Sequence, residues 1–145
     1  MTDPLVAESL ERIIFAGVAM TTVAIASARP GIDLTFPQWR VVVVLGSKPD
    51  GVRISEVAQQ VGVTLPATSR QLRRLERRGL VTVAPDHRDR RAAIARLTDE
   101  GRSARDAVIA HRRAQLIKLA EPFETSPVTR RELARVADAV GPPGG

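Results

Sequence analysis

The sequence predicts a mainly α-helical chain with one small β-hairpin, and three observations carry that expectation. Apolar residues recur at helical spacing along most of the 145 residues. Helix-start signals precede those runs at Asp3-Pro4, Thr35-Phe36-Pro37-Gln38, Thr98-Asp99-Glu100 and Ser126-Pro127. Two stretches, Leu80-Val81-Thr82-Val83 and Ala93-Ile94-Ala95-Arg96-Leu97, are instead β-branched and partly alternating, and they flank the polar tip Pro85 to Arg91.

Taken in order, Asp3 caps the first helix and Pro4 occupies its first turn. Leu5, Leu10, Ile13, Ile14, Gly17, Val18 and Thr21 follow at helical spacing toward Arg29-Pro30-Gly31, where the helix is expected to end. Such a helix is apolar over much of its circumference, so either it lies deep in the core or a second subunit covers it, and burial against a second subunit is the expectation. Thr35 and Gln38 have the spacing of a capping box. The run after Trp39 is locally ambiguous: Val41-Val42-Val43-Val44 suits a buried strand, whereas the cap argues for helix. Gly46 to Gly51 is a loop. Val52-Arg53-Ile54 reads as a short strand, and Ser55 as the cap of a helix that turns Val57, Ala58 and Val61 inward.

Gly62-Val63-Thr64 is a tight turn into a second helix, with Thr64 as its cap, Pro66 in its first turn and Gly79 as its C′ residue after Arg77 and Arg78. At about 100° per residue Thr68, Leu72 and Leu75 share one face, while Pro66, Arg70, Arg73 and Arg77 cluster opposite. One face is core and the other is arginine. A helix-turn-helix whose second helix is basic, followed by a basic-tipped hairpin, is the outline of a winged helix-turn-helix. Thr98 then caps a long helix through Ala104, Ala107, Val108, His111, Ala114 and Ile117 to about Ala120. Ser126-Pro127 starts the last helix, with Leu133, Val136, Ala137 and Val140 as its stripe until Gly141. Neither stripe can be covered by the small winged unit alone.

Charge points to the partner. Arg70 to Arg91 holds eight arginines against Glu76, Asp86 and Asp89, so a net +5 of the chain's +6 lies on one helix and one loop. Clustered arginine suits polyanion binding, because each phosphate neutralised releases condensed counterions, and with the winged outline the partner expected is double-stranded DNA. The sequence has no cysteine, and its two histidines, His87 and His111, stand alone. No metal cluster, nucleophile–base pair or glycine-rich phosphate loop is evident, so neither an enzyme nor a cofactor is expected. The N-terminus lacks the pattern of a secretory signal. Ile13 to Ala28 is charge-free for sixteen residues, short of the ~20 that a spanning helix needs. A cytoplasmic protein without a membrane role is therefore expected.

Four pieces of the chain resemble the MarR family of bacterial transcription regulators: LTFPQW at 34–39, ISEVAQQVGVT at 54–64, LRRLERRGLV at 72–81 and DHRDRRAAIARLTDEG at 86–101. The resemblance implies a homodimer with residues 1–34 and 99–141 as its dimerisation lobe, 35–98 as the winged DNA-binding region and 142–145 as a tail, one compact domain overall. It also implies that the valine run is helix. Arg70 matches the position from which base edges are read, and Thr64, Pro66, Ala67, Ser69, Arg73, Arg74 and Arg77 would face DNA beside it, the last three toward phosphates. Pro66 and Ala67 stand where Ser and Thr are common in the family. Arg90 and Arg91 match the wing that enters the minor groove, with Arg88 beside them and Asp89 as a brace, paired with Arg91. Trp39 is expected in the core, where it would line an effector cleft between lobe and winged region that takes a small lipophilic or anionic molecule. The function implied is a dimeric, sequence-specific regulator, a repressor on a near-palindromic operator. The alternative is a winged-helix module that coats DNA without sequence choice or binds protein.

Overall fold

The computed structural model describes residues 3–28, 32–121 and 126–140. Local capping explains where most helices begin. Asp3 accepts a hydrogen bond from the Leu5 amide at 3.0 Å and opens α1 (Pro4–Ser27). Both halves of the capping box form at α2 (Phe36–Gly46), with Gln38 N donating to Thr35 Oγ1 at 3.4 Å and Thr35 N to Gln38 Oε1 at 3.0 Å. That cap, together with burial of Val41, Val42 and Val44, makes the valine run helical against its strand preference. Thr98 likewise caps α5 (Asp99–Ala120), accepting from Gly101 N at 3.0 Å.

The elements between them are β1 (Val52–Arg53), α3 (Ile54–Val61), α4 (Leu65–Arg77), β2 (Val81–Pro85) and β3 (Ala93–Leu97), and α6 (Pro127–Val140) follows α5. Two expected caps differ. Ser55 lies inside α3, whose N-cap is Arg53 without a side-chain bond, because the chain enters the helix directly from strand pairing. Thr64 occupies the N-cap of α4, but its hydroxyl makes no capping bond. Pro66 in that first turn removes one of the amides such a hydroxyl would meet.

The three strands form one antiparallel sheet in the order β1-β3-β2, with Val52 opposite Ala95 and Val81 opposite Leu97. The hairpin runs to Pro85, which is tolerated because β2 is an edge strand. Gly62 and Gly79, both at φ +70°, end α3 and follow α4 in the left-handed region, as expected of Gly79 as a C′ residue. One core joins Trp39 and Leu45 of α2, Val57 and Val61 of α3, Leu72 and Leu75 of α4, Val81 and Ala95 of the sheet, and Ala104 and Val108 of α5.

The mainly helical architecture with a small wing is the one expected. α1 packs along α5 and buries Thr21, Ala24 and Ile25, yet Ile14 is 66% and Phe15 78% exposed. By length and composition α1 is apolar enough to cross a membrane, unlike the sixteen-residue estimate, because the helix extends N-terminally past Arg12 to Pro4. Leu116, Ile117 and Leu119 of α5 and Val128, Leu133 and Val136 of α6 are also exposed. The expected stop at Arg29-Pro30-Gly31 and the tail from Gly141 lie outside the described residues.

Candidate nucleic-acid interface

Burial of Thr68, Leu72 and Leu75, each at most 1% exposed, fixes the rotation of α4 about its own axis. The opposite face then has no choice. Arg70, Arg73, Arg74 and Arg77 are exposed, as are Thr64 and Pro66, while Ala67 and Ser69 are half-buried at the margin. Arg78 behaves differently from its neighbours: its Nη1 donates to Asp33 O at 2.7 Å and Gln38 Oε1 at 3.4 Å, fastening the end of α4 to the entry of α2. Glu76, the single acid on α4, accepts from the Val83 amide at 3.1 Å. The basic helix and the first wing strand are thereby held in one relation.

The wing tip is built on a carboxylate that the sequence reading passed over. Asp86 is 5% exposed. Its Oδ1 accepts from Arg88 N at 2.9 Å, and its Oδ2 accepts from Arg53 Nε at 2.9 Å and Nη2 at 2.7 Å. The Arg88 amide, and then the Arg53 guanidinium, hold this carboxyl below its ordinary pKa against the opposing effect of burial. Asp89 does brace the tip, but through the backbone: its Oδ1 accepts from Arg91 N at 3.0 Å and its carbonyl from Ala92 N at 2.9 Å. The expected side-chain pair with Arg91 is not formed. Turn-forming Asp side chains satisfy local amides more readily than they hold a long, solvated guanidinium.

Arg88, Arg90 and Arg91 are all exposed. Among the described residues, neither these three guanidinium groups nor those of Arg70, Arg73, Arg74 and Arg77 form an ion pair. Half of the Asp86 arrangement was available locally, since Asp86 and Arg88 have the spacing of an Asx turn. Arg53, 33 positions away, was not.

A second feature lies on the other side of α2. A cavity of about 570 Å³ opens between α1, α2, α5 and the end of α3. Trp39 is 3% exposed, as expected of a core residue, and also lines this cavity. Two cations share the wall: Arg112, whose Nη1 donates to Thr21 Oγ1 at 3.4 Å, and Arg40, which donates to the carbonyl of Val61. His111 is half-buried, with Nε2 at 3.3 Å from Gln115 Nε2. Among the described residues there is no group of three His, Cys, Asp or Glu able to hold a metal ion.

A basic second helix seated on a helix-turn-helix and joined to an arginine-tipped hairpin defines a winged helix-turn-helix protein. Residues 32–92 match the family model described as MarR family. The HTH-type transcriptional regulator YfiV of Bacillus subtilis (strain 168) is 30% identical over 71 residues, 49% of this chain and 44% of that relative, so the chain spans about half of that protein's length. Among solved structures, Rv1404 from Mycobacterium tuberculosis is 27% identical with a TM-score of 0.79, over 97% of this chain and 92% of that one. CouR from Rhodococcus jostii RHA1, bound to p-coumaroyl-CoA, is 26% identical with a TM-score of 0.67, over 90% and 86%. Over residues 32–92 the chain is thus similar to the MarR family, and over most of its length it shares the fold of a Rhodococcus sp. RHA1 transcriptional regulator described as MarR family, 25% identical with a TM-score of 0.66 over 90% of this chain and 86% of that one.

Proposed function

We propose that the protein is a sequence-specific transcription regulator that binds double-stranded DNA as a homodimer in the cytoplasm. One observation carries this reading: seven exposed arginines without ion-pair partners are displayed by two elements, α4 and the wing, that Glu76 and Asp86 hold in place. Arg70, nearest the start of α4, reads a base edge in the major groove, where arginine can donate two parallel hydrogen bonds to guanine. Arg73, Arg74 and Arg77 neutralise phosphates, with Thr64, Pro66, Ala67 and Ser69 close to the backbone. Arg88, Arg90 and Arg91 approach the minor groove. Residues 1–34 and 99–141 form the dimerisation lobe, which accounts for the exposed apolar faces of α1, α5 and α6. Two copies of α4 then read a near-palindromic operator with half-site centres about 34–36 Å apart. The regulator acts as a repressor. A small amphipathic molecule in the cavity beside Trp39 releases it, a role supported by two arginines on an otherwise largely apolar wall.

The test is selection of bound fragments from random duplexes by the purified protein, with the mass of the complex measured on the recovered site. An inverted repeat carrying two subunits is the expected result. Even recovery of all sequences would instead indicate a module that coats DNA, and a single subunit on the duplex would end the dimer reading.

A further inference from the structure

Arg40 ties the cavity to the helix-turn-helix, whose α3 residues Gln60 and Val61 also reach the cavity wall, and the inference it carries rests on the ligand reading above. Arg40 follows Trp39 on α2, lines the cavity, and donates through Nη2 to the carbonyl of Val61. Val61 is the last residue of α3, and Gly62 follows it in the left-handed region. The amides of the turn bond further back: Gly62 N to Ala58 O at 2.9 Å and Gln59 O at 3.2 Å, and Val63 N to Ala58 O at 3.1 Å. The Val61 carbonyl is among the last four of its helix, which have no intrahelical donor. Among the described residues the Arg40 guanidinium supplies its hydrogen bond. A cation is well placed there, because the bond is charge-assisted and lies at the negative end of the α3 dipole.

We infer that Arg40 is a latch between the cavity and the α3–α4 turn, and that a small amphipathic carboxylate is the ligand that opens it. A carboxylate takes two parallel hydrogen bonds from a guanidinium and competes well with a neutral carbonyl. The apolar body of such a ligand meets Ile14, Val18, Trp39 and Val43. Arg112, which donates to the neutral Thr21 hydroxyl, offers a second positive charge. Once Arg40 turns to the ligand, the Val61 carbonyl loses its donor, and the turn loses the tie that sets where Gly62 hands the chain to α4. The arginines of α4 move with that helix, so affinity for DNA falls. By linkage, DNA-bound protein takes the ligand correspondingly more weakly.

Two arms test the latch and the cavity separately. In the first, amide hydrogen exchange is measured without ligand on the wild type, Arg40→Met and Arg40→Lys. Exchange of the turn amides from Gly62 to Thr68 is expected to rise about tenfold in Arg40→Met and less in Arg40→Lys, which keeps a cationic donor. Equal exchange in all three overturns the latch, whatever the cavity binds. In the second arm phenylacetate and phenylacetamide are added to the wild type, and fluorescence of the single Trp, Trp39, reports occupancy. Phenylacetate is expected to quench Trp39 and speed exchange at the turn, and the amide to do neither at the same concentration. Quenching without faster exchange overturns the relay and leaves the cavity reading standing. No quenching by either compound overturns the carboxylate as ligand, and the first arm still decides the latch.

Discussion

Replacing Gly101 by alanine sets two effects of opposite sign against each other. On an exposed helix face the change would stabilise, since alanine is favoured over glycine by about 0.8–1.0 kcal/mol within a helix. Gly101 is not on such a face. A Cβ there would lie 2.0 Å from the Leu80 carbonyl oxygen and 3.0 Å from its carbon, backbone atoms that cannot rotate away. The start of α5 must therefore lift off the segment between α4 and β2. Lifting it strains two ties made by Thr98: its amide to Leu80 O at 3.1 Å and its hydroxyl to Gly79 O at 2.6 Å. Overpacking of this kind costs about 1–3 kcal/mol, and each weakened bond about 0.5–1.5 kcal/mol. After the propensity gain is subtracted, a net loss of about 1–5 kcal/mol remains. For a chain of this size that lowers the melting temperature by about 3–20 °C. Circular dichroism melts at one fixed protein concentration measure it, because an oligomer's midpoint depends on concentration. A Gly101→Ala protein with an unchanged or higher midpoint would refute the close approach of α5 to Leu80.

Arg70→Ala should weaken binding to the selected duplex by about 1–3 kcal/mol and relax preference at one position per half-site, read by anisotropy on a set of single-base variants. Equal weakening on every duplex would reassign Arg70 to the backbone. Arg73→Ala should lower affinity uniformly and reduce the slope of log K against log salt by about 1; an unchanged slope would remove Arg73 from the phosphate contacts. For Asp86, the folded carboxyl holds its proton more weakly than the unfolded one. Its stabilising contribution is therefore complete above the ordinary value of 3.8 and is lost as pH falls through the lower folded value. The stability gap between wild type and Asp86→Asn should be steady near neutrality and close in acid. A gap that persists at the lowest pH at which both proteins still fold would argue that the carboxylate is not charged in its pairing with Arg53.

What could be read in the chain beforehand was local in origin. Asp3, the Thr35–Gln38 box, Thr98, Gly62 and Gly79 act within four residues of themselves, and each does what its position predicts. The spacing of Thr68, Leu72 and Leu75 likewise sufficed to orient α4, because a helix converts sequence separation directly into direction. The valine run needed its cap and the family resemblance, since its own preference pointed the other way and only burial against the rest of the core overrides that.

The ties that make the site rigid were not legible, because each joins residues that folding alone brings together: Arg53 with Asp86, Arg78 with Asp33, and Arg40 with Val61. Arginine shows why charge counting has a limit. Arg78 and Arg53 carry the same charge as Arg70 and Arg90, yet the first two donate to protein oxygens and the last two face solvent without ion pairs. A guanidinium already engaged in fixing the fold brings its charge to DNA but not its directional bonds. In the proposed DNA complex, sequence readout would therefore fall to the arginines left without intramolecular work. The ones engaged within the protein decide whether those free arginines stand where a groove can receive them.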